Sequence, residues 1–146
     1  MEKARVLCLN CGAVNAFPLS AEGKKVVCGR CKSPLHRPGE VFETGDENML
    51  EALLGNTGLP VLVDFYSKTC APCYMMHPIL ERLAGRRAGE LLAVRIDVEE
   101  HPGLASRFNV RAVPTFVVVS RGYEVARTTG AMPEPDFSLW AAGAAR

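Results

Sequence analysis

The sequence predicts an α/β sandwich on a mixed sheet, with a small metal-stapled module ahead of it. Three observations lead there. From Val41 onward the apolar residues switch repeatedly between a period of two and a period near 3.6, and the last two strand-like runs join through a tight turn. All six cysteines fall into Cys-x-x-Cys pairs, two within the first 31 residues and one far downstream. Hydrophobic content of 48% against 23% charged supplies a core, yet no run approaches the ~18 apolar residues of a membrane span.

Residues 1–38 read as one unit and 39–146 as another, with Arg37-Pro38-Gly39 as the boundary. The first unit is short, lacks helical periodicity and is rich in Gly, Pro and Lys. A segment of this size cannot bury enough apolar surface to fold unaided, so it needs a staple. It carries seven Lys/Arg against Glu2 and Glu22, while the remainder has a surplus of acid, and the whole chain is +1. That basic excess is too small to argue for nucleic acid. The opening MEKARVLCLNCG is charged early and has no apolar core, so a secretory signal is not expected. A reducing, cytoplasmic setting follows, where paired cysteines bind metal or do chemistry.

In the second unit a helix is expected over Asp46 to Leu54, with Met49, Leu50, Leu53 and Leu54 on one face and Thr44 or Asp46 at its start. Gly55-Asn56-Thr57-Gly58 ends it. Pro60 to Tyr66 reads as a buried strand with one anomalous charge, Asp64. A long helix follows from Pro72 to about Arg87, with Met76, Ile79, Leu80 and Leu83 inward and a kink at Pro78. Leu92, Val94, Ile96 and Val98 alternate with Ala93, Arg95 and Asp97 as in a strand. Pro102 to Phe108 is a short helix. Thr115 to Val119 is a strand entered through Pro114, turned at Arg121-Gly122 and continued by Tyr123 to Thr129 as a hairpin. A last helix starts near Pro135, with Phe137, Trp140, Ala141 and Ala144 inward.

Cys8, Cys11, Cys28 and Cys31 form C-x₂-C-x₁₆-C-x₂-C. Two residues between cysteines let both sulfurs of a turn face one ion, and sixteen suit a hairpin that brings the second turn back to complete a tetrahedron. One structural Zn²⁺ is expected. Gly12 and Gly29 permit the tight backbone. Two disulfides, or His36 as a substitute ligand, are the other readings. Cys70 and Cys73 instead stand at a strand-to-helix junction. Pro72 suits a first helical turn, and unpaired N–H groups there favour a thiolate on Cys70, with Cys73 one turn in and placed to attack a mixed disulfide. His77 and His101 have no geometry that would make this pair half of a metal site. Asp64, six residues before Cys70, is expected to be buried with a raised pKa and to exchange a proton with Cys73; an edge-strand Asp reaching solvent is the alternative.

On VDFYSKTCAPC, Pro78 within its helix, Val113-Pro114-Thr115 and Gly130 after the hairpin, the chain resembles the thioredoxin family. With its N-terminal pairs it is similar to the thioredoxin 2 type, which carries an added zinc-binding segment. The resemblance covers essentially the whole chain. It implies a thioredoxin-like three-layer sandwich and reduction of protein disulfides, with electrons from a thioredoxin reductase. It also implies a cis Val113–Pro114 bond, packed against the cysteine pair, whose backbone positions the substrate. The chain departs from the family pattern at Thr69, where Trp is usual, at Ala71 for Gly, at Tyr66 for Trp and at Arg95 for Lys. The Thr69 hydroxyl is expected to reach the sulfur, and Arg95 keeps the charge of a lysine without its ability to deprotonate. A more oxidising dithiol acting as oxidase or isomerase, and a redox-sensitive zinc binding module, are the rival functions.

Overall fold

The computed structural model describes residues 3–8, 11, 13–18, 27–33, 35, 39–45, 47–56, 59–88 and 90–145. Expectations placed on Gly12, His36, Arg37, Pro38, Asp46, Thr57, Gly58 and the Met49 side chain lie outside what is described. Strands β1 (Lys3–Leu7) and β2 (Val14–Pro18) form an antiparallel pair. Then come β3 (Val41–Glu43), α1 (Glu47–Asn56), β4 (Val61–Tyr66), α2 (Ala71–Arg86), β5 (Leu92–Asp97) and α3 (Pro102–Arg107), followed by β6 (Thr115–Ser120), β7 (Tyr123–Thr129) and α4 (Glu134–Ala144).

Five strands make one sheet in the order β3-β5-β4-β6-β7. The first three run parallel, and β6 and β7 are each antiparallel to their inner neighbour. The sheet is therefore mixed, with β4 at its centre. Alternation along the strands splits the core in two. Val61, Val63, Phe65, Val94, Ile96 and Val117 pack with Leu50 and Leu53 of α1 and Leu104 of α3. Leu62, Ala93, Phe116 and Val118 pack with Met76, Leu80 and Leu83 of α2 and Phe137 and Ala141 of α4. Helices on both faces of the sheet make the expected three layers. Trp140 is half-buried, stacked on Phe137 at 5.7 Å between ring centroids, and belongs to this packing.

The short N-terminal pair and β3 were not anticipated as strands, and several helix ends shift. Helix α2 begins at Ala71 with Cys70 as its cap, and it runs unbroken through Pro78. Arg82 and Arg86 both bind Glu134, tying α2 to α4 at the surface. Gly130 has φ +95°, a left-handed conformation that favours glycine, and its N–H donates to the Pro114 carbonyl at 2.8 Å.

Candidate functional site

Parallel strands β3, β5 and β4 all point their carboxyl ends the same way, and β4 delivers the chain into Ser67-Lys68-Thr69 and then Cys70. Cys70 has extended backbone (φ −100°, ψ 107°) and caps α2, its sulfur accepting from the Cys73 N–H at 3.1 Å. A sulfur in that place takes the first unpaired helical N–H groups and the positive end of the helix dipole, both of which favour a thiolate. Cys70 is half-buried and Cys73 is 1% exposed. The two are joined as a disulfide with Cα atoms 5.3 Å apart. The outer sulfur can be reached by a substrate; the inner one is covered.

The Val113–Pro114 bond is cis. Register pairs Phe65 of β4 with Thr115 of β6, so Pro114 stands beside the place where β4 ends and the Cys70 loop begins. Thr69 does not turn its hydroxyl to the sulfur. It donates to Glu99 Oε1 at 2.9 Å, lies 3.0 Å from Ser67 Oγ, and Ser67 donates to the same carboxylate oxygen. A cleft of about 510 Å³ opens here between Thr69, Glu99, Arg111 and Val113. Ser67 is a near neighbour of Thr69 within the same loop, whereas Glu99 carries no motif of its own and only the fold brings it there.

Asp64 is 1% exposed on the central strand, which excludes the solvent-reaching alternative. It follows Leu62 by two residues, so it lies on the face that α2 covers, where Cys73 is also buried. Arg95 donates to it through Nε at 3.2 Å. Burial pushes the Asp64 carboxyl up to about 6, and the Arg95 charge and hydrogen bond only partly offset it.

The folded carboxyl thus holds its proton more tightly than the unfolded one, whose ordinary value is 3.8. Its stabilising contribution is complete below that value and is lost as pH rises through about 6. At about 1.4 kcal/mol per unit, the buried charge costs on the order of 3 kcal/mol at neutral pH. Asp64→Asn should therefore raise the unfolding free energy of the oxidised protein by about 2–3 kcal/mol at pH 7. It should change little at pH 3.5, as read by denaturant titration. An equal gain at both pH values, or none at pH 7, would contradict the buried-charge account.

The other four cysteines form no disulfide, and their sulfurs all lie within 4.8 Å of one another. Cys8 to Cys31 and Cys11 to Cys28 are each 3.6 Å apart, too long for disulfides. A tetrahedral zinc with Zn–S near 2.3 Å sets its sulfurs roughly 3.8 Å apart, so the cluster fits such an ion. The two turns share one backbone design: Cys8 N–H donates to Ala13 O and Cys28 N–H to Ser33 O, both at 2.8 Å. Arg30 N–H and the Asn15 amide each donate to the Cys28 sulfur at 3.4 Å, support that ligating thiolates commonly receive. The left-handed residue of the second turn is Lys32 (φ 66°), not Gly29, whose N–H instead binds Asn15 Oδ1 at 2.9 Å. His77 pairs with Glu81 at 2.9 Å, and neither it nor His101 belongs to the cluster.

The thioredoxin family profile matches residues 40–142. Thioredoxin C-3 of Corynebacterium nephridii is 35% identical over 135 residues, 92% of this chain and 91% of that protein. An alignment of that length extends into the segment with the four clustered cysteines. Thioredoxin 2 of Chlorobaculum tepidum is 34% identical over 96 residues, 66% of this chain and 87% of that protein. Among solved structures, a point mutant of thioredoxin from Halobacterium salinarum superposes with a TM-score of 0.69 at 30% identity, covering 76% of this chain and 96% of that one.

Proposed function

The chain belongs to the thioredoxin family and is a thiol–disulfide oxidoreductase of the protein-disulfide reductase kind, and from that premise we propose which residues carry the reaction. The Cys70 thiolate attacks one sulfur of a substrate protein's disulfide. A Cys70–substrate bond forms, and the other substrate sulfur leaves as a thiolate. Cys73 then passes its proton to Asp64 and attacks the Cys70 sulfur. The Cys70–Cys73 bond forms, the mixed disulfide breaks, and the second substrate thiolate departs. Two electrons have moved from the dithiol to the substrate, and protons taken from solvent complete both product thiols.

The observation that carries this reading is the asymmetry of the pair: Cys70 caps the helix at a half-exposed position, and Cys73 is buried one turn in. Pro114, cis and beside the loop, is the substrate-positioning residue. A thioredoxin reductase is the electron donor that suits a dithiol needing two electrons per cycle, and the cytoplasm is the setting that keeps it reduced. No helix among the described residues is long and apolar enough to cross a membrane.

Cys8, Cys11, Cys28 and Cys31 would hold one Zn²⁺, with four thiolates and no open position, so the ion serves structure and not catalysis. Residues 1–38 then form the metal-held unit and 39–146 the redox unit.

Cys73→Ser tests the division of labour. With the resolving sulfur gone, the reaction should stop at the mixed disulfide, and mass spectrometry should find the substrate chain bound to Cys70. Adduct on another cysteine, or full turnover with no adduct, would rule the assignment out.

A further inference from the structure

Register sets Glu43, Arg95 and Asp64 side by side across β3, β5 and β4, with Glu43 opposite Arg95 and Arg95 opposite Asp64. Alternating charge across three neighbouring strands is attractive at both steps. The pairing with Asp64 is nonetheless incomplete. A guanidinium and a carboxylate can form two parallel bonds that occupy both oxygens. Here Arg95 gives Asp64 only its Nε, to Oδ2, and Asp64 Oδ1 is buried with no hydrogen-bond partner among the described residues. The Nη1 arm faces the other way, 3.7 Å from Glu43 Oε1. The guanidinium carbon sits 3.7 Å over the Tyr66 ring, and the Tyr66 hydroxyl donates to Glu43 Oε2 at 2.8 Å. Glu43 therefore uses one oxygen on Arg95 and the other on Tyr66, whose ring carries Arg95 from beneath.

We propose that Glu43, braced by the Tyr66 hydroxyl, is a positioning residue for the Arg95–Asp64 pair: by anchoring Nη1 it fixes the orientation of the guanidinium, with Nε alone on Asp64, so that Oδ1 stays open to receive the Cys73 proton. The proposal rests on Asp64 being that acceptor. An arginine closed on both oxygens would keep the carboxylate ionised and its lone pairs engaged. The open arrangement keeps a buried base whose proton affinity lies near neutrality, supported by the upward shift of Asp64, to which the Glu43 charge contributes after the larger effect of burial. Burial first, and then the bond to Glu43, also raise the Tyr66 phenol, so it stays a donor.

Two further groups on this face carry a buried atom without a hydrogen-bond partner among the described residues, Asp97 Oδ2 and His77 Nδ1. Asp97 of β5 accepts the Glu99 N–H at 2.9 Å and lies 3.8 Å from Lys68. From α2 come Cys73, in its disulfide, and His77, bound to Glu81 with Nδ1 buried. Strand β6 presents Phe116 and Val118; α4 presents Phe137 and Ala141, its Glu134 being held by Arg82 and Arg86.

The test is a carbon-13 titration of the Asp64 carboxyl by NMR in the oxidised full chain, with Glu43→Gln and Tyr66→Phe. Glu43 is exposed, so its amide should fold as the parent does. In Glu43→Gln the guanidinium loses its anchor and is free to turn and close Nε and Nη2 on both Asp64 oxygens, and the midpoint should fall by about one pH unit, a tenfold loss of proton affinity. Tyr66→Phe should shift it the same way by less. The acid limb of the turnover profile should move with the midpoint. An unchanged or raised midpoint in Glu43→Gln overturns the positioning role whatever the turnover shows. A lowered midpoint with an unmoved turnover profile overturns Asp64 as the acceptor instead, and with it the purpose of the arrangement.

Discussion

Cys70→Ser should abolish catalysed reduction of a protein disulfide, a loss of roughly 10³-fold or more, while the chain keeps its metal. The size follows from chemistry: the step needs a sulfur that both attacks a disulfide and accepts attack in turn, and a hydroxyl does neither at neutral pH. Cys73 cannot take over, because it is 1% exposed beneath Cys70. The fold should tolerate the change, since a serine oxygen can cap α2 by accepting the Cys73 N–H as the sulfur does. The measurement is turnover with a protein disulfide substrate, alongside metal content and thermal unfolding. Undiminished turnover would remove Cys70 from the mechanism. Lost metal would tie the four clustered cysteines to the redox pair.

Chelation of the metal, or Cys28→Ser, should unfold the N-terminal segment and leave the redox unit folded and active. The described cluster in this segment is Cys8, Cys28 and Leu35, packed by Cys11, Ala13 and Cys31. Four of those six are the clustered cysteines, so without an ion to join them this cluster has little left to hold the turns. Binding worth about 10 kcal/mol or more is of the size needed to fold such a unit. The sheet and its helices bury two apolar clusters without help from those four cysteines. Amide NMR should therefore show signals of β1 and β2 collapsing on chelation while those of β4 to β7 persist. Cooperative loss of both sets would merge the units. Retention of β1 and β2 would mean that the metal is not their staple.

The stretches legible in the sequence each carry a pattern long enough to count, an apolar run or alternation in the strands and a stripe over several turns in the helix. Strand β4, helix α2, strand β5 and the β6–β7 hairpin are of this kind. Strand β3 was not, since its three residues give no period to count. Strands β1 and β2 flank the first cysteine turn, and the cysteine spacing spoke for the turn without showing that its arms pair. Asp64 stood out as a charge among apolar neighbours, and the setting of the cysteine pairs separated the two kinds of site: two pairs sixteen residues apart in a short segment, against a lone pair enclosing Pro72 at a strand-to-helix junction. Glu43 did not stand out, because an acidic residue near a helix start has an ordinary surface reading. Its meaning depends on Arg95, 52 positions away, and appears only once register sets them opposite each other. Thr69 shows the same limit: its hydroxyl was expected at the sulfur, but Glu99, 30 positions on, claims it through a contact no local pattern encodes. The start of α2 moved from Pro72 to Ala71 because Cys70 itself supplies the cap.

One measurement bears on the whole arrangement: quantify zinc and free thiols on the same sample, reduced and then mildly oxidised, with peptide mapping of the sulfurs that change. One zinc per chain should survive oxidation, and two thiols, mapped to Cys70 and Cys73, should disappear. Zinc released in step with the first oxidised thiols, or a first disulfide among Cys8, Cys11, Cys28 and Cys31, would contradict the division of the six sulfurs into four that grip and two that cycle.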